Sequence, residues 1–375
     1  MPPSVTWRQA LAWRMERQLL QPIGDLPATV VARRLGGVQA QVASSAVLAV
    51  RLRQQRSHAE DVARALSRGD LIKTWAMRGT LHLLSADDAG DLLSLLAAGR
   101  MWERPSWVRG FGVSAEQMER LRAVVREALD GAVLTREELV AAVSSDPGLG
   151  HVSEALRSGW GTVLKPLAFQ GDLCFGPSQG NRVTFTRPEA ASRAWRGVPE
   201  ASEAAPRAIS AYLGAYGPAT VDGFRNWLSR GRIAKRQLRE WFAGLGDRLA
   251  EVDVDGEKAY VVAEDLDSLA AAIRQRSPSV RLLPGFDQWL LGPGTEDLHV
   301  LSLSRRRTVS RQSGWITPVV IVDGVVSGTW ALTGGGVHLT WFAEAGRPPA
   351  ESLRAEVHRL SAIVDRGLDL ELTVS

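Results

Sequence analysis

Gln39 and Gln41 are the residues whose type and spacing best suit chemistry, because two neutral amides flank the single apolar residue Ala40. An amide accepts a hydrogen bond through its oxygen and donates one through its nitrogen, so two neighbouring amides can orient one water. Residues two apart on a helix point to roughly opposite sides, so a shared site requires extended or irregular backbone. The preceding Gly36-Gly37 pair makes such a break plausible. Spacing alone favours a plainer interpretation, in which one glutamine lies on the surface and the other caps a helix.

Other familiar catalytic patterns are absent from the sequence. It contains no phosphate-binding loop, no HExxH motif and no GxSxG nucleophile elbow. The six histidines show no metal-ligand spacing, and Cys174 is the only cysteine, which excludes an intrachain disulfide and a cysteine zinc cluster. We therefore expect no metal and no cofactor.

The surrounding elements repeat one order, in which helices precede a two-stranded hairpin. The clearest copy spans residues 206–263, where three helical stretches precede strands around Asp255-Gly256, a strong hairpin signal. A second copy spans about 114–187 and includes a predicted long helix over 152–169, while a looser first copy places its hairpin around Arg78-Gly79. Three helices and a hairpin outline a winged helix-turn-helix, which places one helix in a DNA groove. An ordinary α+β protein with frequent hairpins is the alternative.

Beyond about residue 264 the sequence becomes rich in strand-like segments, including 280–291 and 299–309. We therefore predict an α+β fold with three tandem winged helix-turn-helix modules and a C-terminal β-rich, barrel-like domain. The predicted boundaries are 1–113 for the first module with its connecting helices, 114–200 for the second, 201–263 for the third and 264–375 for the β-rich domain.

Composition indicates a soluble, cytoplasmic protein with a basic surface. Hydrophobic residues make up 45% of the 375 residues, which supports a substantial core and argues against global disorder. No apolar run is long enough to cross a bilayer, and the N-terminus lacks an apolar signal segment. The net charge is only +4, but nearly all basic residues are arginines, which fork onto phosphates and guanine edges. A genome that favours arginine codons would give the same bias.

Candidate DNA contacts come from basic residues beside predicted turns. Arg78 adjoins the first hairpin, and a second cluster lies between predicted strands of the β-rich domain. A solvated charged loop is the alternative for that cluster. The candidates are Arg78, Arg305, Arg306, Arg307 and Arg311, with Arg33, Arg34, Lys165 and Arg182 as further phosphate contacts.

Four groups of residues, in one order along nearly the whole chain, resemble landmarks of the winged-helix DNA glycosylases of the AlkZ/YcaQ superfamily. They are Gln39-Ala40-Gln41, the segment 74–82 (TWAMRGTLH), the segment 282–287 (LLPGFD), and Gly314-Trp315-Ile316 followed by Val322-Asp323-Gly324. The catalytic motif is Gln–apolar–Gln in the AlkZ branch and Gln–apolar–Asp in the YcaQ branch, so with Gln41 at the third place this chain resembles the AlkZ branch.

The resemblance implies a fold and an activity beyond what spacing gives. It implies three winged helices and a β-domain around a concave basic surface, with Gln39 and Gln41 catalytic. The side chains that it implies as support of the cleft are Trp75, His82, Phe286, Asp287 and Trp289. The implied partner is double-stranded DNA carrying alkylated purines, bound by a monomer without a membrane.

The implied reaction is hydrolysis of the N-glycosidic bond of N7-alkylguanine-type adducts, including bulky adducts or interstrand crosslinks, without base flipping. Such an enzyme would serve self-resistance in bacteria that make DNA-alkylating antibiotics. A lyase step would need an amine such as that of Pro2, but a disordered tail is the simpler interpretation. We therefore expect a monofunctional enzyme. A non-catalytic winged-helix transcriptional regulator and a drug-sequestering protein are the alternatives from other classes.

Overall fold

The computed structural model describes residues 2–272 and 277–375. The α-helices of the described chain are α1 (Trp7–Arg17), α2 (Ala28–Arg34), α3 (Ala43–Arg51), α4 (Asp61–Ser67), α5 (Ala89–Ala97), α6 (Pro105–Phe111), α7 (Ala115–Ala128), α8 (Arg136–Ser144), α9 (Ser153–Arg157), α10 (Leu164–Phe169), α11 (Pro188–Ala191), α12 (Ala201–Tyr216), α13 (Val221–Ser229), α14 (Lys235–Ala243), α15 (Leu266–Ala270), α16 (Gln288–Leu291), α17 (Arg306–Val309) and α18 (Ala350–Val364). The strands are β1 (Ser4–Val5), β2 (Val38–Gln39), β3 (Leu71–Trp75), β4 (Leu81–Ser85), β5 (Leu134–Thr135), β6 (Cys174–Phe175), β7 (Thr184–Thr186), β8 (Leu249–Val254), β9 (Glu257–Val262), β10 (Val280–Leu283), β11 (Val319–Val322), β12 (Val325–Thr333), β13 (Gly336–Trp341) and β14 (Asp369–Val374).

Packing divides the described residues into two compact units that interleave along the sequence. The first unit contains residues up to 62, 210–227 and 245–375, and the second contains 63–209 and 228–244. This division follows packing rather than chain order, so the four predicted domain boundaries stay a prediction. The mixed α+β class is confirmed.

A five-stranded sheet forms the main β-structure of the first unit. Its order is β10-β11-β12-β13-β14, antiparallel except for the parallel pair β13 and β14. Helix α18 covers it, and residues such as Leu282, Trp330 and Leu360 fill the core between them. Among the described residues β10 and β14 form opposite edges, so this sheet is open where a barrel-like closure was expected.

A second sheet of the first unit has the order β1-β8-β9, in which β1 runs parallel to β8. Strands β8 and β9 form the hairpin predicted around Asp255-Gly256, with Val254 opposite Glu257. Both turn residues have positive φ, 49° and 88°, as a two-residue turn of this kind requires. Helices α12, α13 and α14 precede this hairpin along the chain, in the order expected for the third winged-helix module.

The second unit contains the second helix–hairpin copy. Its strands follow the order β4-β3-β6-β7-β5, and the short strand β5, between α7 and α8, pairs with β7 of the hairpin. Helix α7 begins at the capping box of Ser114, and α8 begins at the capping box of Thr135 and Glu138. A winged helix also has a short strand between its first two helices, so this copy matches that outline closely.

Three local predictions were wrong. The long helix expected over 152–169 is instead two short helices, α9 and α10, with residues 158–163 between them, and a 3-10 turn precedes α9. Gly161 lies in this break with φ of 60°, and a Cβ there would come within 2.2 Å of the Trp75 indole. The strand expected over 299–309 consists of turns, a 3-10 turn at Leu303–Arg305 and helix α17. The second half of 280–291 is likewise helical, as α16.

Candidate active site and nucleic-acid interface

The segment that carries Gln39 and Gln41 is not helical. Helix α2 ends at Arg34, and Gly36 and Gly37 follow with φ of 59° and 107°. The Gly36 amide donates to the Arg33 carbonyl and the Gly37 amide to the Ala32 carbonyl, both at 2.9 Å, which is a Schellman ending. Strand β2 then carries Gln39, Gln41 lies in a bend, and α3 begins two residues later. The break expected from the glycine pair is confirmed.

The two glutamines differ in burial. Gln39 is only 5% exposed and Ala40 3%, whereas Gln41 is exposed to solvent. The chain therefore leaves the interior within two residues, so one amide is held inside and the other faces water.

Asp287 is a structural anchor in the first unit. Its carboxylate accepts two hydrogen bonds of 2.8 Å from the Arg53 guanidinium, and both side chains are fully buried. One carboxylate oxygen also accepts from the Trp289 amide at 2.8 Å and so caps α16. Arg53 further donates to the Ala49 carbonyl of α3. The pair ties the end of α3 to the start of α16.

The two aromatic residues beside Asp287 pack into the interior rather than forming an open cleft wall. Trp289 is completely buried, and its indole N–H donates to the Gly324 carbonyl at 2.9 Å. Phe286 is 7% exposed and meets Trp315 edge-on with ring centroids 5.1 Å apart. Trp315 itself is 49% exposed, so this aromatic pair reaches the surface through Trp315.

In the second unit, Arg78 and His82 belong to the predicted hairpin of β3 and β4. The turn at Met77–Gly79 places Arg78 at φ of 58°. The Nδ1–H of His82 donates to the Thr80 carbonyl at 3.0 Å, and no described residue bonds its Nε2. Complete burial, with a further contribution from Arg78, lowers the pKa of His82 to about 3. At neutral pH His82 is therefore an uncharged polar group and cannot serve as an acid.

Trp75 is an internal packing residue of the same unit. It is 3% exposed and meets Phe175 and Phe185 with ring centroids 4.7 and 6.0 Å away. Its indole packs against Gly161, where a Cβ would lie 2.2 Å from the ring. Its contacts within this unit support the hairpin.

Lys165 lies beside the Arg78 hairpin turn. A Cβ on Gly79 would lie 3.7 Å from the Lys165 ammonium, and this side chain is partly buried. Burial, followed by the charges of Arg232 and Arg230, lowers the pKa of Lys165. Both arginines are exposed, so they form a basic group with Lys165 that sequence reasoning missed. Arg182 is separate from this group, at the exposed tip of the β6–β7 hairpin, where it bonds Gln179.

The arginines of the basic cluster in the first unit, Arg305, Arg306 and Arg307, differ in their acidic partners. Arg305 forms two hydrogen bonds of 2.7 and 2.8 Å with Glu344, which lower the pKa of that carboxyl to about 2. Its guanidinium also covers the Phe342 ring at 4.3 Å. Arg306 pairs with Glu296 at 2.6 Å. Arg307 is exposed and forms no ion pair with any described residue.

A surface pocket of about 590 Å³ lies beside this cluster and is lined by Leu303, Ser304, Arg306, Arg307 and Ser310. Arg311 is exposed nearby in sequence, and its guanidinium approaches the Thr308 carbonyl at 3.4 Å. Arg33 and Arg34 are exposed in the last turn of α2, directly before the Gln39–Gln41 segment.

Comparison with known proteins decides the family. The profile of the family described as DNA glycosylase AlkZ-like matches residues 32–363. The chain belongs to this family. It is 49% identical over 352 residues, 94% of each chain, to a protein of Streptomyces sahachiroi named interstrand DNA cross-link repair glycosylase. The solved structure of Streptomyces sahachiroi DNA glycosylase AlkZ superposes with a TM-score of 0.95 at 47% identity, over 99% of this chain and 100% of that one.

Membership in the AlkZ-like family makes this chain a DNA glycosylase and confirms the resemblance found in the sequence. The regulator and drug-binding alternatives are therefore not favoured. No helix within residues 2–272 and 277–375 has the length and apolar character needed to span a bilayer. Within the same ranges no cluster of three or more His, Cys, Asp or Glu side chains could hold a metal ion.

Proposed function

We propose that this glycosylase hydrolyses the N-glycosidic bond of N7-alkylguanine-type adducts in double-stranded DNA, through a water held by Gln39 and Gln41. The observation that carries the proposal is the non-helical Gln–Ala–Gln segment, with one amide buried and the other exposed. Its place within the residues matched by the AlkZ-like family supports the same assignment.

The chemistry of the substrate explains why neutral amides are sufficient. Alkylation at N7 makes the guanine cationic, so the base departs without a strong acid. The enzyme must then stabilise an oxocarbenium-like sugar and place a water beneath its anomeric carbon. Gln39 and Gln41 each offer a donor and an acceptor for that water, so their role is positioning more than proton abstraction.

Crosslinked and bulky adducts belong to the proposed substrate range. The Streptomyces sahachiroi relative is named as an interstrand cross-link repair glycosylase, and it aligns with 94% of this chain. A crosslinked base cannot enter a closed pocket, because it remains attached to the opposite strand, so hydrolysis would proceed without base flipping. The biological role would be self-resistance to a DNA-alkylating natural product.

The proposed DNA contacts are phosphate contacts from the two basic groups described above. In the first unit Arg307 and Arg311 are the best placed, because Arg305 and Arg306 already pair with Glu344 and Glu296. In the second unit the proposed contacts are Arg78, Lys165, Arg230 and Arg232, and separately Arg182 at the tip of the β6–β7 hairpin. In each group Lys and Arg would bind the backbone without reading the sequence.

We further propose that the enzyme is monofunctional and acts as a monomer. A lyase step would need an amine nucleophile at the reacting sugar. Pro2 is the candidate for that amine and is exposed. The backbone next to it is held, because the Pro3 carbonyl accepts a hydrogen bond from the backbone amide of Asp253. Strand cleavage without added base would contradict the monofunctional assignment.

The test uses Gln39→Ala and Gln41→Ala on oligonucleotides that carry either one N7-methylguanine or one interstrand crosslink. We expect each variant to lose base release while keeping its fold and its DNA affinity. Gln55→Ala is a matched control, because Gln55 is an exposed glutamine of the same unit outside the segment. Full activity of both active-site variants would reject the assignment. If the wild-type enzyme releases N7-methylguanine but does not release the crosslinked base, only the crosslink part of the proposal is rejected.

A further inference from the structure

The carbonyl of Leu35, four residues before Gln39, has a specific side-chain partner. A helix leaves its last carbonyls without partners inside the helix. In α2 the Schellman bonds of Gly36 and Gly37 occupy the Arg33 and Ala32 carbonyls, and the Leu35 carbonyl accepts from the hydroxyl of Tyr216. Leu35 and Tyr216 are both completely buried. The turn into strand β2 is therefore held by a group from α12.

Gln288 extends this contact. Its amide oxygen lies 3.3 Å from the Tyr216 hydroxyl, and its amide nitrogen has no hydrogen-bond partner among the described residues. A tyrosine hydroxyl has one hydrogen, which Tyr216 donates to Leu35. Its oxygen can then only accept from Gln288, so the amide orientation that satisfies both groups turns Nε2 towards Tyr216. The donors then run in one direction, from Gln288 through Tyr216 to Leu35.

The ring of Tyr216 is fixed by close packing. A Cβ on Gly292, at the end of α16, would lie 2.0 Å from this ring, so only glycine fits there. On another side the Trp227 ring lies 5.9 Å away, between centroids, and that same indole lies 3.4 Å from where a Cβ of Gly36 would stand. The hydroxyl therefore cannot follow a shift of the Leu35 carbonyl.

Asp287, the residue before Gln288, holds the chain on the other side of Gln39 and Gln41. Asp287 binds Arg53, which lies just after α3, through two buried bonds of 2.8 Å. Consecutive side chains of one short segment thus hold the chain at Leu35 and at Arg53, on either side of Gln39 and Gln41. Gln39 and Gln41 therefore lie between two points of the chain that buried side chains hold.

We propose that Tyr216 and Gln288 are positioning residues, whose hydrogen-bond relay to the Leu35 carbonyl sets the placement of Gln39 and Gln41 in the reaction. This inference rests on the proposed function, because it requires those two amides to act on the water. Tyr216, Gln288 and Leu35 are all buried, so the relay acts through the backbone that leads from Leu35 into strand β2.

The experiment measures single-turnover release of N7-methylguanine, DNA affinity and melting temperature for Tyr216→Phe and Gln288→Met. Tyr216→Phe removes only the hydroxyl, and we expect a loss of roughly ten- to a hundredfold in rate, since a small misplacement of a catalytic group has this effect. Gln288→Met should lose less, because Tyr216 can still donate to Leu35. DNA affinity should stay unchanged in both variants, since no group that binds DNA is altered.

The double variant Tyr216→Phe/Gln39→Ala distinguishes positioning from general destabilisation. If Tyr216 acts through Gln39 and Gln41, Tyr216→Phe should slow the Gln39→Ala enzyme by a smaller factor than it slows the wild type. Tyr212→Phe is the matched control, because Tyr212 is a buried neighbour in the same aromatic cluster, with ring centroids 5.4 Å apart, and its hydroxyl lies beside Gly223 instead of Leu35. We expect Tyr212→Phe to keep the wild-type rate.

The outcomes separate this inference from the proposed function. Full activity of Gln39→Ala and Gln41→Ala overturns the proposed function, and the relay with it. Inactive glutamine variants together with a wild-type rate for Tyr216→Phe overturn the relay alone, as does an additive loss in the double variant. Should Tyr216→Phe fail to fold, Gln288→Met with and without Gln39→Ala gives the same test, and additive or absent losses again refute the relay.

Discussion

The buried imidazole of His82 makes the stability of the protein depend on pH in a defined window. Burial above all, then the charge of Arg78, lowers its pKa from 6.5 to about 3, against the opposing bond to Thr80. The unfolded chain therefore takes up a proton near pH 6.5, and the folded protein does so only near pH 3. The stability that comes from neutral His82 is complete above pH 6.5 and is lost as the pH falls towards 3.

The size of this effect follows from proton linkage. One proton bound only by the unfolded state changes the unfolding free energy by up to ~1.4 kcal/mol per pH unit. Between pH 7 and pH 5 the loss should amount to about 2 kcal/mol, and this value holds for any folded pKa below about 4. The prediction therefore depends on the burial of His82 more than on an accurate pKa.

The perturbation is His82→Asn, whose amide nitrogen can take the place of Nδ1 and donate to Thr80 but cannot titrate. Urea unfolding of both proteins at pH 5, 6 and 7 gives the difference in stability, in which all other titrating groups cancel. We expect this difference to change by about 2 kcal/mol across the range, with the wild type losing more on acidification. A difference that stays constant from pH 7 to pH 5 would refute the reasoning.

Two further predictions concern Arg53–Asp287 and the exposed arginines. Arg53→Met alone should destabilise the protein by about 3–5 kcal/mol, because the Asp287 carboxylate stays buried without its cation. Arg53→Met/Asp287→Leu should regain part of that loss, and urea unfolding measures both. Arg307→Gln should reduce the slope of log affinity against log salt by about one. Arg305→Gln should change the slope less, because that guanidinium is engaged by Glu344; equal slopes for the two variants would contradict this.

Sequence reasoning succeeded where local chemistry decides the structure. The hairpins at Arg78-Gly79 and Asp255-Gly256 form where expected, because each turn contains a glycine that adopts positive φ, 70° at Gly79 and 88° at Gly256. The break before Gln39 follows from two adjacent glycines in the same way. The family landmarks then supplied the activity, which no spacing in this chain would have given.

The failures arise from contacts between residues that are distant in sequence. The break at Gly161 exists because the Trp75 indole occupies the space where a side chain would stand. The partner of Asp287 is Arg53, 234 residues away, and no local pattern distinguishes that arginine from the others. The exposed pair Arg230 and Arg232 becomes a binding candidate only because the fold brings it near Lys165.

The unequal burial of the two glutamines predicts that only one of them can be replaced by an acid. A carboxylate at position 39 would have to leave water, which raises its pKa and destabilises the charged form. Gln39→Glu should therefore lose stability relative to the wild type as the pH rises above the unfolded value of about 4.3, whereas exposed Gln41→Glu should not. Urea unfolding at pH 5 and pH 8 compares them. An identical pH response of both variants would show that burial does not distinguish the two places. The expected asymmetry gives a physical reason why the related YcaQ branch carries its acid at the third place of the motif and keeps glutamine at the first.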